Sequence, residues 1–211
     1  MCKWRFFLLL LFGSAVISCA INPKYITDDF HPPRTVALLP VANQSNDLNA
    51  PELVRKLMLE VLVSKGYEVK PLDTTDEILK KNGISEGGQL NAVTPEKLGK
   101  ELDVGGLFYG EIIEYNFINV GVYRNRVVEI DYKLVDPQTG KMLWEDQRKV
   151  SNKQFEFDQD KMVKSLALGL AEKVIENLIS SPLLPECKAV INKIARTLPQ
   201  VYGDSSGLSG Y

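Results

Sequence analysis

Histidine is nearly absent from the sequence, and this scarcity excludes several kinds of catalytic site. The single histidine, His31, precedes the pair Pro32-Pro33, so we expect it in a solvated loop. A Ser-His-Asp triad needs a histidine beside its nucleophile, and a zinc site needs a cluster of histidine or cysteine ligands. We therefore predict no catalytic residue, no metal site and no cofactor.

Cysteine is also scarce, with three residues in the sequence. Cys2 falls in a leader segment and Cys19 directly follows it, so Cys187 is the one cysteine left for a folded domain. A single cysteine cannot form an internal disulfide. We expect Cys187 to be a buried, unreactive thiol on a helix, because a free cysteine behaves as a small apolar residue.

The amino-terminal apolar run is too short to span a membrane. It extends from Phe6 to Ile17, after the basic residues Lys3 and Arg5, whereas a spanning helix needs about 20 apolar residues. This arrangement is typical of a secretory signal. The run ends in Val16-Ile17-Ser18-Cys19, a lipobox, which predicts cleavage after residue 18 and lipidation of Cys19. The alternative is an ordinary secretory signal in which that cysteine stays a thiol.

A lipidated Cys19 predicts where the protein is held. Each buried CH₂ of an acyl chain contributes about 0.8 kcal/mol and two chains suffice for stable anchoring, so we expect a permanent membrane anchor. In lipoproteins of double-membraned bacteria an Asp after the cysteine favours the inner membrane, but here Ala20 follows. We therefore predict an outer-membrane protein facing the periplasm, with the inner membrane as the weaker alternative.

The sequence lacks an excess of positive charge. Loss of the signal removes two of the 25 basic residues, Lys3 and Arg5, and none of the 27 acidic residues, which leaves a net charge of about −4. A nucleic-acid partner would require a basic stripe, and none is present. We predict that the membrane, through the lipid, and other envelope proteins are the partners, with a homo-oligomer left open.

The length and the apolar periodicity predict one domain. We assign a signal peptide to 1–18, a lipidated tether to 19–34, an α/β domain to 35–181, a carboxy-terminal helix to 182–198 and a disordered tail to 199–211. The element order in the domain is β-α-β-α-α-β-β-β-α. It predicts a mixed (α+β) sheet of about five strands, with helices packed on it and its first two strands parallel.

Local signals predict where each element begins and ends. Strands are expected at Thr35–Val41, Tyr67–Leu72, Leu107–Val120, Val127–Val135 and from Met142 to about Val150, and helices at Pro51–Gly66, Asp76–Lys81, Pro95–Leu102 and from Asp158 or Asp160 to Ile179. The first strand is nearly all apolar, as expected when both faces are covered. The strand from Val127 alternates, which predicts one buried and one wet face. The amphipathic segment Glu186–Leu198 is either a docked helix or an interaction helix.

Several loops carry residue types that also occur in binding sites. Asn43–Asp47 could hold a ligand, but Asn, Ser and Asp are also the usual turn residues, and we favour a turn. The pair Gly87-Gly88 has no strand before it and no Gly-Lys-Ser/Thr after it, so it does not predict a phosphate site. Gly140 is expected in a left-handed position of a hairpin turn. Thr74 or Thr75 is expected to cap the helix over Asp76–Lys81, and Thr94 is expected to cap the helix that begins at Pro95.

Two segments carry a resemblance to a known group of proteins. Val36–Asn43 and Leu134–Trp144 are similar to the superfamily that includes the amino-terminal domain of TolB, the curli secretion protein CsgG and the peptidoglycan-synthase activator LpoB. Pro32-Pro33-Arg34 and Lys81-Asn82-Gly83 resemble motifs of the GNA-type bacterial lipoproteins within it. The likeness covers about Lys24–Val150. It implies a TolB amino-terminal-domain-like fold and an envelope protein, and it carries lipidation onto Cys19 without implying an active site.

The sequence is compatible with three functions. The first is a non-catalytic accessory or assembly factor of an envelope complex related to CsgG-like export. The second is activation of a peptidoglycan synthase in the manner of LpoB, although a tether of 15 residues reaches about 50 Å at most. The third is an enzyme of unknown chemistry, for which Glu111, Glu114, Glu129 and Asp131 are the acid–base candidates. We prefer the first, because the anchor, the expected fold and the lack of a recognisable catalytic motif support it. Against the enzyme, outward carboxylates on strands usually serve solubility.

Overall fold

The computed structural model describes residues 22–120, 122–155 and 181–201. In these ranges the strands are β1 Tyr25–Ile26, β2 Thr35–Leu38, β3 Ala42–Asn43, β4 Glu68–Val69, β5 Gly106–Val120, β6 Tyr123–Val135 and β7 Met142–Phe155. The helices are α1 Ala50–Ser64, α2 Leu72–Lys81, a 3-10 helix Gly87–Ala92, α3 Pro95–Leu102 and α4 Leu184–Thr197. The predicted mixed α/β class is confirmed. The expected number of about five strands is wrong, because β1 and β3 bring the sheet to seven.

Some predicted features lie outside the described residues. They are the signal peptide with Cys19, the long helix expected from Asp158 or Asp160 to Ile179, and the tail from residue 202 onward. Among the helices of the described ranges, none combines the length and the apolar character needed to cross a bilayer.

The strands form one mixed sheet in the order β1-β7-β6-β5-β2-β4, and β3 pairs separately with β5. β2 lies between β4 and β5 and is parallel to both, which confirms the predicted parallel pair. The strands β5, β6 and β7 form an antiparallel meander. A parallel half and an antiparallel half therefore meet at β5.

The parallel half is buried on both faces, as the apolar sequence of β2 predicts. Val36 and Leu38 pack into one core with α1, whereas Ala37 and Leu39 pack into a second core with α2 and α3. All four side chains are fully buried. Alternation of side chains along a strand sends successive residues to opposite faces, which divides this short segment between the two cores.

Helix α4 covers the same face of the sheet as α1. Its residues Cys187, Val190, Ile191 and Ile194 are buried in the first core. The helix packs against β6, β7 and α1. Of the two interpretations of this segment, the docked helix is the one that the structure adopts, because its apolar stripe is already covered within the chain.

A β-bulge in β5 changes which side chains face the first core. The pairing with β6 shifts between Ile112 and Glu114, so one extra residue is inserted there. Tyr115 consequently joins Phe108 and Ile112 in the first core. Uninterrupted alternation from Leu107 would place Tyr115 on the same face as Leu107, but the inserted residue reverses the alternation beyond it.

The predictions for individual cap and turn residues are correct at two positions and wrong at a third. Thr94 accepts the Lys97 N–H at 3.4 Å at the start of α3, and Gly140 has a φ of 67° in its turn, as predicted. Helix α2 begins at Leu72, directly after Pro71. The prediction that Thr74 or Thr75 caps this helix is wrong, since the Thr75 hydroxyl lies inside the helix and donates to the Pro71 carbonyl.

The meander is longer than its alternation pattern predicted. β6 begins at Tyr123 rather than Val127, and β7 continues to Phe155 rather than Val150. Beyond the residues of β5 that pair with β3, the three strands pair only with one another among the described residues. We name this part the arm, consisting of Glu114–Val120, Tyr123–Glu129 and Lys149–Phe155.

Candidate binding surface

The outward side chains of the meander form a broad polar surface. On β6, Val128, Ile130, Tyr132 and Leu134 are buried, whereas Glu129, Asp131 and Lys133 face outward, as the alternation predicted. Cross-strand pairing adds residues from β5 and β7. We name this surface the polar sheet face, made up of Glu111, Glu114, Glu129, Asp131, Lys133, Glu145, Gln147 and Lys149.

The four carboxylates considered as acid–base candidates are thus brought together on one face. Glu111 pairs across the strands with Asp131, and Glu114 pairs with Glu129. Directly opposed like charges on neighbouring strands repel each other, so such pairs need compensation from a cation. The structure supplies that compensation at one pair and leaves the other only partly compensated.

Lys149 compensates the pair of glutamates. Its Nζ lies 2.6 Å from Glu114 Oε2 and 3.0 Å from Glu129 Oε2, and Gln147 Nε2 donates to Glu129 Oε1 at 2.7 Å. The hydrogen bond from Lys149 holds the pKa of Glu129 below its usual range. These carboxylates are therefore charged acceptors already engaged by neighbouring side chains.

Asp131 has a different environment, although it is on the same face. It is half-buried, and burial raises its pKa to about 6, with the nearby charges of Glu145 and Glu111 acting in the same direction. Its Oδ1 atom is buried and has no hydrogen-bond partner in the described structure. A carboxyl group with such a perturbed pKa is the strongest chemical candidate on this surface.

The segment Asn22–Ile26, which we name the strap, lies along the edge of the sheet next to this face. Tyr25 and Ile26 pair with Glu145 and Trp144 of β7. Lys24 Nζ lies 2.9 Å from Glu145 Oε1 and donates to Gln147 Oε1 at 3.2 Å. These residues belong to the segment predicted as a tether, and the aromatic and β-branched pair Tyr25-Ile26 is only a weak signal for a strand.

A cleft of about 370 Å³ lies at the carboxyl end of β2. Its lining includes Pro40, Asn43, Arg55, Asp76 and Gly87. In open sheets with parallel strands, ligands commonly bind outside the carboxyl ends of those strands. The cleft is therefore the second candidate surface.

The charged side chains of this cleft, Arg55 and Asp76, are already paired with each other. The Arg55 side chain is buried; it donates to both Asp76 carboxylate oxygens at 2.8 and 2.9 Å and twice to the Leu38 carbonyl. Two N–H groups at the start of α1 are also engaged, because Asp47 Oδ1 accepts those of Asn49 and Ala50. Within Asn43–Asp47, the Asn43 Oδ1 atom accepts the Ser45 N–H at 3.0 Å, which agrees with the predicted turn.

The glycine pair next to the cleft packs closely against the chain. A Cβ at Gly87 would lie 2.3 Å from the backbone nitrogen of Ala42, whereas a Cβ at Gly88 would meet no heavy atom within 4 Å. Gly87 is therefore required for the contact between the 3-10 helix and the segment after β2.

The remaining residues that could take part in catalysis or metal binding belong to neither surface. His31 is exposed, and its Nδ1 lies 3.3 Å from the Asp29 carbonyl, consistent with the solvated loop that was predicted. Cys187 is fully buried, and burial raises the pKa of its thiol to about 12, as expected for an unreactive cysteine. In the described ranges, no three of the His, Cys, Asp and Glu side chains are grouped so as to hold a metal ion.

Comparison with known proteins gives the same family as the sequence motifs. The family model described as "Putative lipoprotein GNA1162-like" matches residues 28–196. The curated protein "Putative lipoprotein NMB1124/NMB1162" of Neisseria meningitidis serogroup B is 30% identical over 112 residues, which cover 53% of this chain and 52% of that protein. The chain thus spans about half the length of the curated relative that it matches.

Two solved structures are similar to this chain, and the first of them shows the fold. The crystal structure of lipoprotein GNA1162 from Neisseria meningitidis has a TM-score of 0.54 and 23% identity, and the match covers 68% of this chain and 99% of that one. The LpoB carboxy-terminal domain from Salmonella enterica has a TM-score of 0.44 and 14% identity, with 59% and 87% covered. Since the family model spans most of the sequence, the chain belongs to the GNA1162-like lipoprotein family.

Proposed function

We propose that this protein is a lipid-anchored, non-catalytic accessory or assembly factor of a bacterial envelope complex related to export. Membership of a lipoprotein family and the lipobox Val16–Cys19 support the anchor. Ala20 after the lipidated cysteine supports the outer membrane, with the protein on its periplasmic side. The proposed partners are other envelope proteins.

The observation that carries the binding role is the construction of the polar sheet face. Three long strands present it as one wide surface, and Lys149 and Gln147 hold two of its carboxylates in fixed positions. Charged groups that are fixed in this way suit the recognition of a complementary protein surface. General acid–base catalysis would instead need a carboxylate directed at a substrate pocket.

Two alternatives compete with this proposal. Activation of a peptidoglycan synthase in the manner of LpoB requires the domain to reach far from its anchor, and pairing of the strap with β7 consumes part of the tether. An enzyme would have to use Asp131, whose raised pKa is the one observation in its favour. Both alternatives are distinguishable by what the polar sheet face contacts in cells.

The experiment is photo-cross-linking in cells with a photoreactive amino acid at Glu111, followed by mass spectrometry of the captured proteins. A matched control carries the same amino acid at Glu60, an exposed position of α1. We expect capture of another lipoprotein or an export component from Glu111 but not from Glu60. Capture of a peptidoglycan synthase supports the first alternative, and equal capture from both positions rejects the polar sheet face as the binding surface.

The anchor is tested by Cys19→Ala. Because this residue would carry the lipid, the variant should move from the membrane fraction to the soluble fraction after cell breakage. Sedimentation of the variant with the membranes, as for the unchanged protein, contradicts the lipidation of Cys19.

A further inference from the structure

The strap limits how far the domain can stand from a lipid on Cys19. Its first residue, Asn22, is attached to the sheet, since its carbonyl accepts a 2.6 Å hydrogen bond from Arg148 Nη2. Three chain steps separate Cys19 from Asn22, and at about 3.5 Å per residue they span about 11 Å even when fully extended. This reach replaces the estimate of about 50 Å for a free tether.

The strap also runs toward the end of the arm. It is antiparallel to β7, with Ile26 opposite Trp144 and Tyr25 opposite Glu145, so earlier residues of the strap lie beside later residues of β7. Seven residues of β7 follow Arg148 up to Phe155, which corresponds to about 24 Å of strand. The arm thus extends further along the sheet edge than the chain between Asn22 and Cys19 can reach.

Exposed apolar side chains are concentrated on the same parts of the molecule. Seven large hydrophobic residues are exposed in the described structure, and five of them belong to the strap or to the end of the arm and its turn: Tyr25, Ile26, Val120, Val122 and Phe155. Val120 and Phe155 are each 60% exposed. The Tyr123 ring packs on the Phe155 ring with a centroid distance of 4.9 Å.

A bilayer surface suits this combination. Apolar residues at the end of a hairpin lose their contact with water when they enter the boundary between headgroups and acyl chains. A tyrosine beside them is typical of the membrane interface, because its ring is apolar and its hydroxyl stays hydrated. Lipid therefore suits the apolar end of the arm as its contact partner. The short chain between Cys19 and Asn22 places the proposed anchor near the same edge of the sheet.

We infer that the strap holds the β7 edge of the domain against the bilayer, with the end of the arm in contact with lipid. This inference rests on the proposed lipid anchor at Cys19. The domain then lies on the membrane surface, and its partners must be reachable from that position. The polar sheet face, next to the same edge, becomes available to proteins in or near the same membrane.

The test measures the depth of single labels in the complete, lipidated protein. The protein is reconstituted into vesicles of phosphatidylethanolamine and phosphatidylglycerol, and an environment-sensitive fluorophore is attached to Val122→Cys. The control is Val63→Cys, another exposed valine, on α1. Cys187 is buried and Cys19 would be acylated, so the introduced cysteine is the reactive one.

We expect lipid-borne nitroxide quenchers to quench the Val122 label at least twofold more than the Val63 label. Lys153→Cys, an exposed position on the β7 side of the arm, is the second test site and should follow Val122. Equal quenching at all three sites overturns the inference. Mass spectrometry of the purified protein separates the two proposals: a mass without lipid rejects the anchor and the inference together, whereas a lipidated protein with unquenched arm labels rejects the inference alone.

Discussion

Replacing Asp131 with Asn should stabilise the protein at neutral pH and have no such effect in acid. Burial raises the pKa of Asp131 to about 6 from an ordinary value of 3.8. A raised pKa means that the folded state disfavours the ionised form. The ionised carboxylate therefore lowers the free energy of unfolding above pH 6, and this penalty disappears as the pH falls from 6 to 4.

The magnitude follows from the difference between the two pKa values. About two pKa units correspond to roughly 3 kcal/mol at 1.36 kcal/mol per unit. The side chain is only half-buried, and solvent screens its interactions with Glu111 and Glu145, so we reduce this value to about 1–2 kcal/mol. The amide of Asn has nearly the shape of the carboxyl group and removes the charge.

The assay is urea unfolding followed by tryptophan fluorescence between pH 4 and 7.5. Trp4 lies in the predicted signal and Trp144 is fully buried, so the mature protein has one tryptophan that reports on the core. We expect a higher urea midpoint for Asp131→Asn at pH 7.5 and equal midpoints near pH 4. An unchanged or lower midpoint at pH 7.5 would refute the reasoning.

Glu129→Gln is the matched control on the same strand. The pKa of Glu129 is lowered by the hydrogen bond from Lys149, so its charge stabilises the folded state at neutral pH. This contribution is lost as the pH falls through the lowered pKa. The control should therefore destabilise the protein at pH 7.5, which is the opposite sign from Asp131→Asn. If both variants change stability in the same direction, charge is not the cause.

Two further substitutions test the packing around the cleft by the same unfolding assay. Arg55→Ala should destabilise the protein by about 3 kcal/mol, because it leaves Asp76 without its buried partner, and Arg55→Lys should restore little, since lysine lacks the planar fork that both acceptors use. Full recovery by lysine would contradict that explanation. Gly87→Ala should cost about 1–3 kcal/mol because its Cβ would lie 2.3 Å from a backbone nitrogen, whereas Gly88→Ala should stay within about 0.5 kcal/mol of the unchanged protein. Equal effects of the two alanines would show that the close contact at Gly87 does not constrain the fold.

Local sequence signals predicted the features that depend on neighbouring residues. The alternation from Val127 to Val135 identified which side chains are buried and which form the polar sheet face, because side chains on a strand alternate with a period of two. Thr94 and Gly140 were assigned correctly because a helix cap and a turn involve only a few consecutive residues. The apolar stripe of α4 likewise predicted an amphipathic helix, but not whether this chain or a partner covers its apolar face.

Pairing between distant strands decided two features that the local sequence did not predict, the strand β1 and the bulge in β5. Tyr25 and Ile26 form a strand only because the edge of β7, more than 100 residues later, offers backbone partners. The bulge beyond Ile112 depends on the register with β6 and reverses the facing of Tyr115. Neither the two-residue strand nor the bulge produces a local periodicity long enough to be predicted from the sequence.

The raised pKa of Asp131 also depends on contacts between distant parts of the chain. Its carboxyl group is identified as outward-facing by the alternation along β6, which is a property of the sequence alone. Its raised pKa comes first from burial and then from the charges of Glu145 on β7 and Glu111 on β5, whereas Lys24 of the strap opposes the rise. The sequence thus determined the lipobox, the family and the two faces of β6, since each follows from consecutive residues. Only the tertiary structure decided the strap, the arm and the environment of Asp131, because each of them exists through contacts between residues far apart in the chain.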